Sequence, residues 1–208
     1  MNIVLAILIG YILGALPLAA RVSRRRGIDI FSVGTGLAGA SNVRKEAGSL
    51  PAGLVLLGDL AKGSLTVWCA RILGVEGAWI LIPVAGALLG HSKSVFAKFR
   101  GGDGFATLAG ACIGLFSYLG FLSILLGMLV QLGAQRMSYS SLFGVIFSYA
   151  VLVALNIVFE GDLNLVLGLG GLYSLALAHA IHGHRRRRND IGWEVDQKNG
   201  LDMGDHVD

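Results

Sequence analysis

The stretch GFATLAGACIGLFSYLGFLSILLGMLVQLGAQ, residues 104–135, carries no charge, and whether it forms one helix or two decides the fold. Further apolar runs flank it at about 3–20, 50–73, 76–90, 141–159 and 163–182, to be compared with the ~20 residues of a spanning helix. The connections between runs differ sharply in charge. Arg21, Arg24, Arg25, Arg26, Arg44 and Lys45 follow the first run, and Lys93, Lys98 and Arg100 follow the third. Arg136 follows the central stretch, and Arg185 to Arg188 follow the last run. The connections around Glu76 and around Glu160 and Asp162 are acidic. Basic connections stay on the cytoplasmic side of a membrane. With residues 104–135 as one helix, Arg185 to Arg188 would fall outside. With two short helices hinged near Ser117 to Gly120, every basic burst is cytoplasmic. The charge pattern thus predicts an all-α integral membrane protein of about seven transmembrane helices, two of them short, with cytoplasmic Gly-rich loops. Its N-terminus is expected outside and its C-terminus in the cytoplasm. Halves of about 16 residues imply local thinning of the bilayer or a partly re-entrant pair.

Composition agrees. With 54% hydrophobic and 14% charged residues, and a mean hydropathy of +0.70, the chain is too apolar for a soluble domain of 208 residues. The pI of about 9.3 arises from short basic bursts between apolar runs. That pattern points to anionic headgroups and phosphorylated substrates, with no nucleic-acid module in sight. Cys69 and Cys112 lie inside apolar stretches and suggest neither a disulfide nor a metal. The run from Asn2 to Ala20 has no basic leader and reads as a first span, not a cleaved signal peptide. Residues 1–192 form a single transmembrane domain on this reading, and the polar, acidic residues 193–208 form a disordered cytoplasmic tail. Many of the 31 glycines sit at helical spacing, as at Gly10 and Gly14 or Gly86 and Gly90. In membranes small residues let helix backbones approach closely.

The loop glycines are different. After the first run the sequence reads Ser32-Val-Gly-Thr-Gly-Leu-Ala-Gly-Ala-Ser-Asn42, followed by Arg44 and Lys45. Gly34, Gly36 and Gly39 allow backbone N–H groups to turn toward an anion. Ser32, Thr35, Ser41 and Asn42 add side-chain donors, and the two cations add charge. This is a phosphate cradle in outline; the alternative is a flexible loop with incidental glycines. A dinucleotide-binding glycine fingerprint fails on context, because no strand precedes it. The second segment, Gly90-His91 through Lys93, Lys98 and Arg100 to Gly101-Gly102-Asp103-Gly104, ends in a glycine turn that opens the next helix. A helix N-terminus is a ready anion site, while Asp103 also suits an N-cap and the lysines also suit a basic loop that fixes topology. Asp59 and Lys62, three residues apart in the second run, share one helical face and should pair or line a polar cavity. His91, His179, His182 and His184 scatter over helix ends, where an interfacial role is the alternative to a ligand role. No acid cluster or paired His indicates a metal.

These motifs resemble those of the bacterial acyl-phosphate:glycerol-3-phosphate acyltransferases. The first loop is similar to the family's Ser-x-Gly-Ser-Gly-Asn-x-Gly-Ala-Thr-Asn motif, and the second to its Gly-His-x-Phe-Pro…Phe-x-Gly-Gly-Lys-Gly motif. Asp59-x-x-Lys62-Gly63, Gly14-x-x-Pro17, the motif order and the span count agree, so the resemblance covers nearly the whole chain. It implies a seven-helix enzyme of the bacterial cell (inner) membrane, multi-pass, that moves a fatty acyl group from acyl phosphate to the 1-hydroxyl of glycerol 3-phosphate. The products are lysophosphatidic acid and phosphate, a step of phospholipid biosynthesis. No cofactor or metal is implied, and the partners are the two substrates and membrane lipids; no oligomeric state follows. There are departures. Leu37 stands where the family has Asn, Lys45 where it has Arg, Lys93 and Ser94 where it has Phe-Pro, and Asp103 where it has Lys. The last reverses a charge in a phosphate-facing turn, which weakens anion affinity at close range. Thr35 for Ser and Ser41 for Thr are conservative. The family's third motif, His-Arg-x-Asn-Ile, is echoed by His184, Arg185, Asn189 and Ile191, with the Asn displaced by two residues.

Under this reading Ser32, Gly34, Thr35, Gly36, Gly39, Asn42, Arg44, Lys45, His91, Arg100, Gly101, Gly102, Gly104 and Asn189 bind substrate. Ser41, Asp103 and His184 act in catalysis, with His184 or Asp103 a candidate proton acceptor. Arg185 to Arg188 contact anionic lipid. An alternative of another class is a membrane paralogue that binds lipid or acyl phosphate without turnover, as Asp103 and Leu37 would allow. A small transporter is supported only by the span count and by Asp59 and Lys62. The CDP-alcohol phosphatidyltransferases are set aside, because Asp103-Gly104 lacks the paired aspartates that hold their metal.

Overall fold

The computed structural model describes residues 2–134 and 140–181. Its elements are α1 (Ile3–Ala15), α2 (Leu18–Arg24), α3 (Ala40–Ala47), α4 (Ser49–Ile72), α5 (Leu81–Ser92), α6 (Phe105–Gly133), α7 (Ser140–Val158) and α8 (Leu163–Ile181). Short 3-10 turns precede α5 and follow it, at Gly77–Ile80 and Val95–Ala97. Among the described residues there is no strand, only an isolated bridge between Ser94 and Arg100. Four helical segments, Ile3–Arg24, Ser49–Ile72, Phe105–Gly133 and Leu163–Ile181, are long and apolar enough to cross a membrane, and Gly77–Ser92 and Leu142–Val158 are shorter apolar helices.

The segment Ile3–Arg24 is broken where Pro17, without an N–H, cannot continue the ladder of α1. The break turns the Leu16 carbonyl out of the ladder, where it accepts the Leu18 N–H at 2.9 Å and Lys62 Nζ at 2.6 Å. In α6, Ser117 leaves helical geometry altogether (φ 50, ψ −119). Beyond it the chain folds back: Gly120 lies against the Cys112 backbone, and Ser123 Oγ stands 3.9 Å from Cys112 Sγ. In a straight helix those two residues would be about 16 Å apart. The expected division near Ser117 to Gly120 is therefore a helical hairpin inside one apolar stretch, and seven crossing segments result.

Glycine sets the helix spacings. A Cβ on Gly14 or Gly90 would strike the Ala87 or Tyr11 carbonyl across the α1–α5 contact, and one on Gly63 or Gly110 would strike Thr107 or Leu60 backbone across α4–α6. The bundle core is a single cluster that includes Val67, Val84, Leu108, Ala111, Leu152 and Leu169. A smaller cluster of Ala19, Ile30, Ala38, Val43 and Val55 underlies the first loop. Outward, Leu5, Leu8, Leu57, Trp68, Leu129 and Leu175 are exposed, as lipid contact requires.

Candidate functional site

Two loops build the site, one joining α2 to α3 and the other joining α5 to α6. They lie at the same end of the bundle and touch, since the Ala38 N–H of the first donates to the Gly101 carbonyl of the second at 3.1 Å; within the second, the Gly102 N–H donates to the His91 carbonyl at 3.2 Å. A Cβ added at Gly102 would stand 2.6 Å from His91 Nε2 and 2.8 Å from the Ala38 carbonyl oxygen. No side chain fits there, so the glycine turn closes directly on the first loop.

The first loop is organised from within by Asn42. Its buried amide donates to the carbonyls of Ile30, Val33 and Leu37 at 3.2, 3.1 and 3.1 Å, and its Oδ1 accepts the Thr35 N–H at 3.1 Å. Gly34 (φ +56) passes so close to Asn42 Oδ1 that a Cβ would collide with it. Asp29 starts the turn by accepting the Phe31 N–H at 3.2 Å, and the Asp29 carbonyl accepts the Ser32 hydroxyl at 2.9 Å. The Gly36 N–H donates to the Val33 carbonyl at 3.0 Å, and Gly39 stands at the N-cap of α3 in extended geometry. Ser41, Arg44 and Lys45 are exposed on α3, and Ser32 is exposed on the loop.

The second loop is tied down at both ends. Ser94 Oγ donates to the Ala15 carbonyl at 2.5 Å, and the Arg100 guanidinium lies 4.4 Å over the Phe31 ring. That stacking pins an exposed cation of one loop to an aromatic of the other. Lys98 and Phe99 are held at positive φ, 54 and 59, a strained conformation for such side chains. Asp103 is half-buried in the glycine turn. The helix starts at Phe105, and Gly104 (φ +83), one residue beyond Asp103, stands at the N-cap position. A side chain there would meet Leu88.

Beneath the loops lies a buried polar cluster. Asp59 Oδ1 and Lys62 Nζ pair at 2.8 Å, and Lys62 Nζ also donates to the Leu16 carbonyl at 2.6 Å. His91 Nδ1 is 3.8 Å from Asp59 Oδ1 and 3.3 Å from Thr107 Oγ1. Asp59, Lys62, His91 and Thr107 are all less than 9% exposed. A small cavity joins the cluster to the loops, lined by residues that include Leu16, Asp59, Lys62, His91, Arg100 and Gly101. Asp59 and Lys62 are thus a pair that also borders a cavity.

Of the residues singled out in the sequence, those from Ser32 to Lys45 and from His91 to Gly104 come together at one end. His184 and Asn189, with Arg185 to Arg188, lie outside the described residues. Sequence reasoning missed Asp29, Thr107 and the Leu16 carbonyl. Asp29 had a signal, since an Asp starting a short turn accepts the N–H two residues on; Thr107 looked like one more residue of an apolar helix. Among the described residues no cluster of three His, Cys, Asp or Glu side chains is arranged to hold a metal.

A family model described as glycerol-3-phosphate acyltransferase matches residues 4–190. The glycerol-3-phosphate acyltransferase of Rubrobacter xylanophilus is 41% identical over 140 residues, which cover 67% of this chain and 70% of the relative. Glycerol-3-phosphate acyltransferase 1 of Deinococcus radiodurans is 38% identical over 151 residues, covering 73% and 76%. The fold is similar to the crystal structure of PlsY (YgiH), an integral membrane glycerol 3-phosphate acyltransferase, in its glycerol 3-phosphate form. That match has a TM-score of 0.71 and 25% identity, and it covers 92% of each chain. The lysophosphatidic acid form matches with the same TM-score at 24% identity.

Proposed function

The chain belongs to the glycerol-3-phosphate acyltransferase family, and from that premise we propose that it transfers a fatty acyl group from acyl phosphate to the 1-hydroxyl of glycerol 3-phosphate. Its general function is that of a membrane acyltransferase in phospholipid synthesis, and the relatives described above, each named as an acyltransferase, give no support to a paralogue without turnover. The observation that carries the proposal is the contact between the two glycine loops, Ala38 to Gly101, beneath a rim of cations.

Both substrates carry phosphate, so the chain needs preformed donors and cations more than a nucleophile. The Thr35, Ser41 and Ser32 hydroxyls, with Arg44, Lys45 and Arg100, supply them. Asn42 shapes the loop, since its amide is engaged with backbone. Acyl phosphate is already activated. The glycerol hydroxyl attacks the acyl carbonyl, the new ester bond forms as the acyl–phosphate bond breaks, and the hydroxyl proton leaves on the departing phosphate. His184 and Asp103 are the alternative acceptors that the sequence offers for that proton. The basic end faces the cytoplasm, which puts the N-terminus outside.

The test is phosphate release. Purified protein given acyl phosphate and glycerol 3-phosphate should form lysophosphatidic acid and inorganic phosphate, and an acyl thioester should not replace the donor. Arg100→Ala should raise KM for a phosphorylated substrate by roughly tenfold or more. Asp103→Lys should lower KM for glycerol 3-phosphate, because it restores a cation where the family has one. Turnover with the thioester and none with acyl phosphate would overturn the donor assignment.

A further inference from the structure

A second concavity lies between the end of α2 and the first turns of α4, lined by Val22, Arg25, Arg26, Leu50, Pro51 and Leu54. It shares no residue with the cavity under the glycine loops. One wall is apolar. Leu50 and Leu54 are 73% and 57% exposed and, four residues apart, form one stripe of α4. The residues of α4 that turn into the bundle, Val55, Asp59 and Lys62, lie on a different stripe. The other wall is cationic. Arg25 and Arg26 are exposed, and Arg26 Nη1 donates to the Ala47 carbonyl at 3.2 Å, which fixes that guanidinium where α3 meets α4. Only one of its five N–H donors is used by this bond. The Arg25 side chain has no hydrogen bond or ion pair with another described residue.

Bare leucines beside two guanidiniums at the basic end of a membrane bundle suit an amphiphile of one kind. Arginine forks match phosphate oxygens in pairs, and basic groups at the end of a spanning helix recognise anionic lipid. A free phosphate would leave the leucine stripe unused, and a neutral lipid would leave the excess charge unmatched. We propose that this groove seats one anionic phospholipid, its phosphate on Arg25 and Arg26 and an acyl chain along Leu50 and Leu54. The site requires membrane residence only, and it stands whether or not the donor assignment above holds.

The experiment uses the full chain in nanodiscs of phosphatidylcholine with a minor fraction of phosphatidylglycerol, with retained lipid read by native mass spectrometry. Wild type is expected to retain one phosphatidylglycerol. Arg25→Gln should weaken that retention about fivefold, and Arg25→Glu more, from the usual contribution of one basic side chain near anionic lipid. Arg24→Glu, outside the groove, should weaken it less than Arg25→Glu does. Turnover in pure phosphatidylcholine reports that each variant is folded. Equal losses for Arg24→Glu and Arg25→Glu would reduce the effect to diffuse attraction and overturn the proposal. So would retention of phosphatidylcholine to the same extent, or displacement of the lipid by millimolar inorganic phosphate.

Discussion

Asn42 and Lys62 show how the same side chain serves two readings until its surroundings are known. An amide that follows a glycine loop suits a phosphate and suits a backbone equally well, because both offer oxygen acceptors. In this chain three loop carbonyls take the Asn42 donors, so the loop is shaped by a residue whose sequence position reads as a ligand. Lys62 was legible only in part. Its spacing from Asp59 predicts the pair, but the Leu16 carbonyl that completes its coordination is turned toward it by the break at Pro17, 45 residues earlier in the chain. Both charges are almost fully buried, at 2% and 4% exposure. Removing one partner of such a pair leaves an uncompensated charge, whereas replacing both removes the problem. Lys62→Ala should therefore destabilise the protein by about 3–5 kcal/mol, and Asp59→Asn combined with Lys62→Met should recover most of that loss. Unfolding by denaturant in detergent micelles measures both. A cost for Lys62→Ala near that of an exposed pair, below about 1 kcal/mol, would mean that water reaches the cluster.

At the level of elements, the decisive event is the reversal in α6. Charge counting required it, because only a chain reversal between Gly104 and Gln135 keeps all the basic connections on one side, and the break at Ser117 falls within the expected stretch Ser117 to Gly120. Its geometry was not legible: the turn falls on Ser117 at positive φ, where glycine is the ordinary choice, with Gly120 three residues on giving the close approach. Arg71 was hidden for a different reason, since it lies within an apolar run and looks like an exception to the charge pattern. Its guanidinium donates to the Gly114 and Leu115 carbonyls at 3.0 and 3.1 Å. It therefore satisfies the end of the first half of α6, where the reversal leaves carbonyls without helical partners. Ser117→Gly should relieve strain of about 1–3 kcal/mol against a glycine entropy cost of about 0.5–1 kcal/mol. The expected result is a more stable protein with unchanged turnover. Gly120→Leu should do the opposite, because its Cβ would meet the Cys112 carbonyl. A Ser117→Gly variant that melts lower than wild type would show that the serine makes a contact worth more than the strain.

Across the whole molecule the two ends of the bundle differ in charge. One end carries Arg21, Arg24, Arg25, Arg26, Arg44, Lys45, Lys93, Lys98 and Arg100, with Asp29, Glu46 and Asp103 among them, together with both glycine loops. The other carries Glu76, Glu160 and Asp162, with Arg71 bonded to carbonyls. Asn2 belongs to that second end, since its N–H donates to the Leu73 carbonyl at 3.2 Å, and so does the reversal at Ser117, through Arg71. Translocating nine cations would be far costlier than translocating three acids, so the basic end should remain cytoplasmic. This arrangement can be read with single cysteines in a Cys69→Ser, Cys112→Ser background and a thiol reagent that does not cross lipid. Arg24→Cys and Lys98→Cys should react only in inside-out vesicles, and Tyr118→Cys and Asn164→Cys only in right-side-out ones. The position of Tyr118 carries the most weight. If α6 were one rod with its reversal unmade, Tyr118→Cys would lie in mid-membrane and react from neither side. Reaction from the same side as Lys98→Cys would place the hairpin tip among the substrate loops, and the two glycine loops would then no longer stand alone at the basic face.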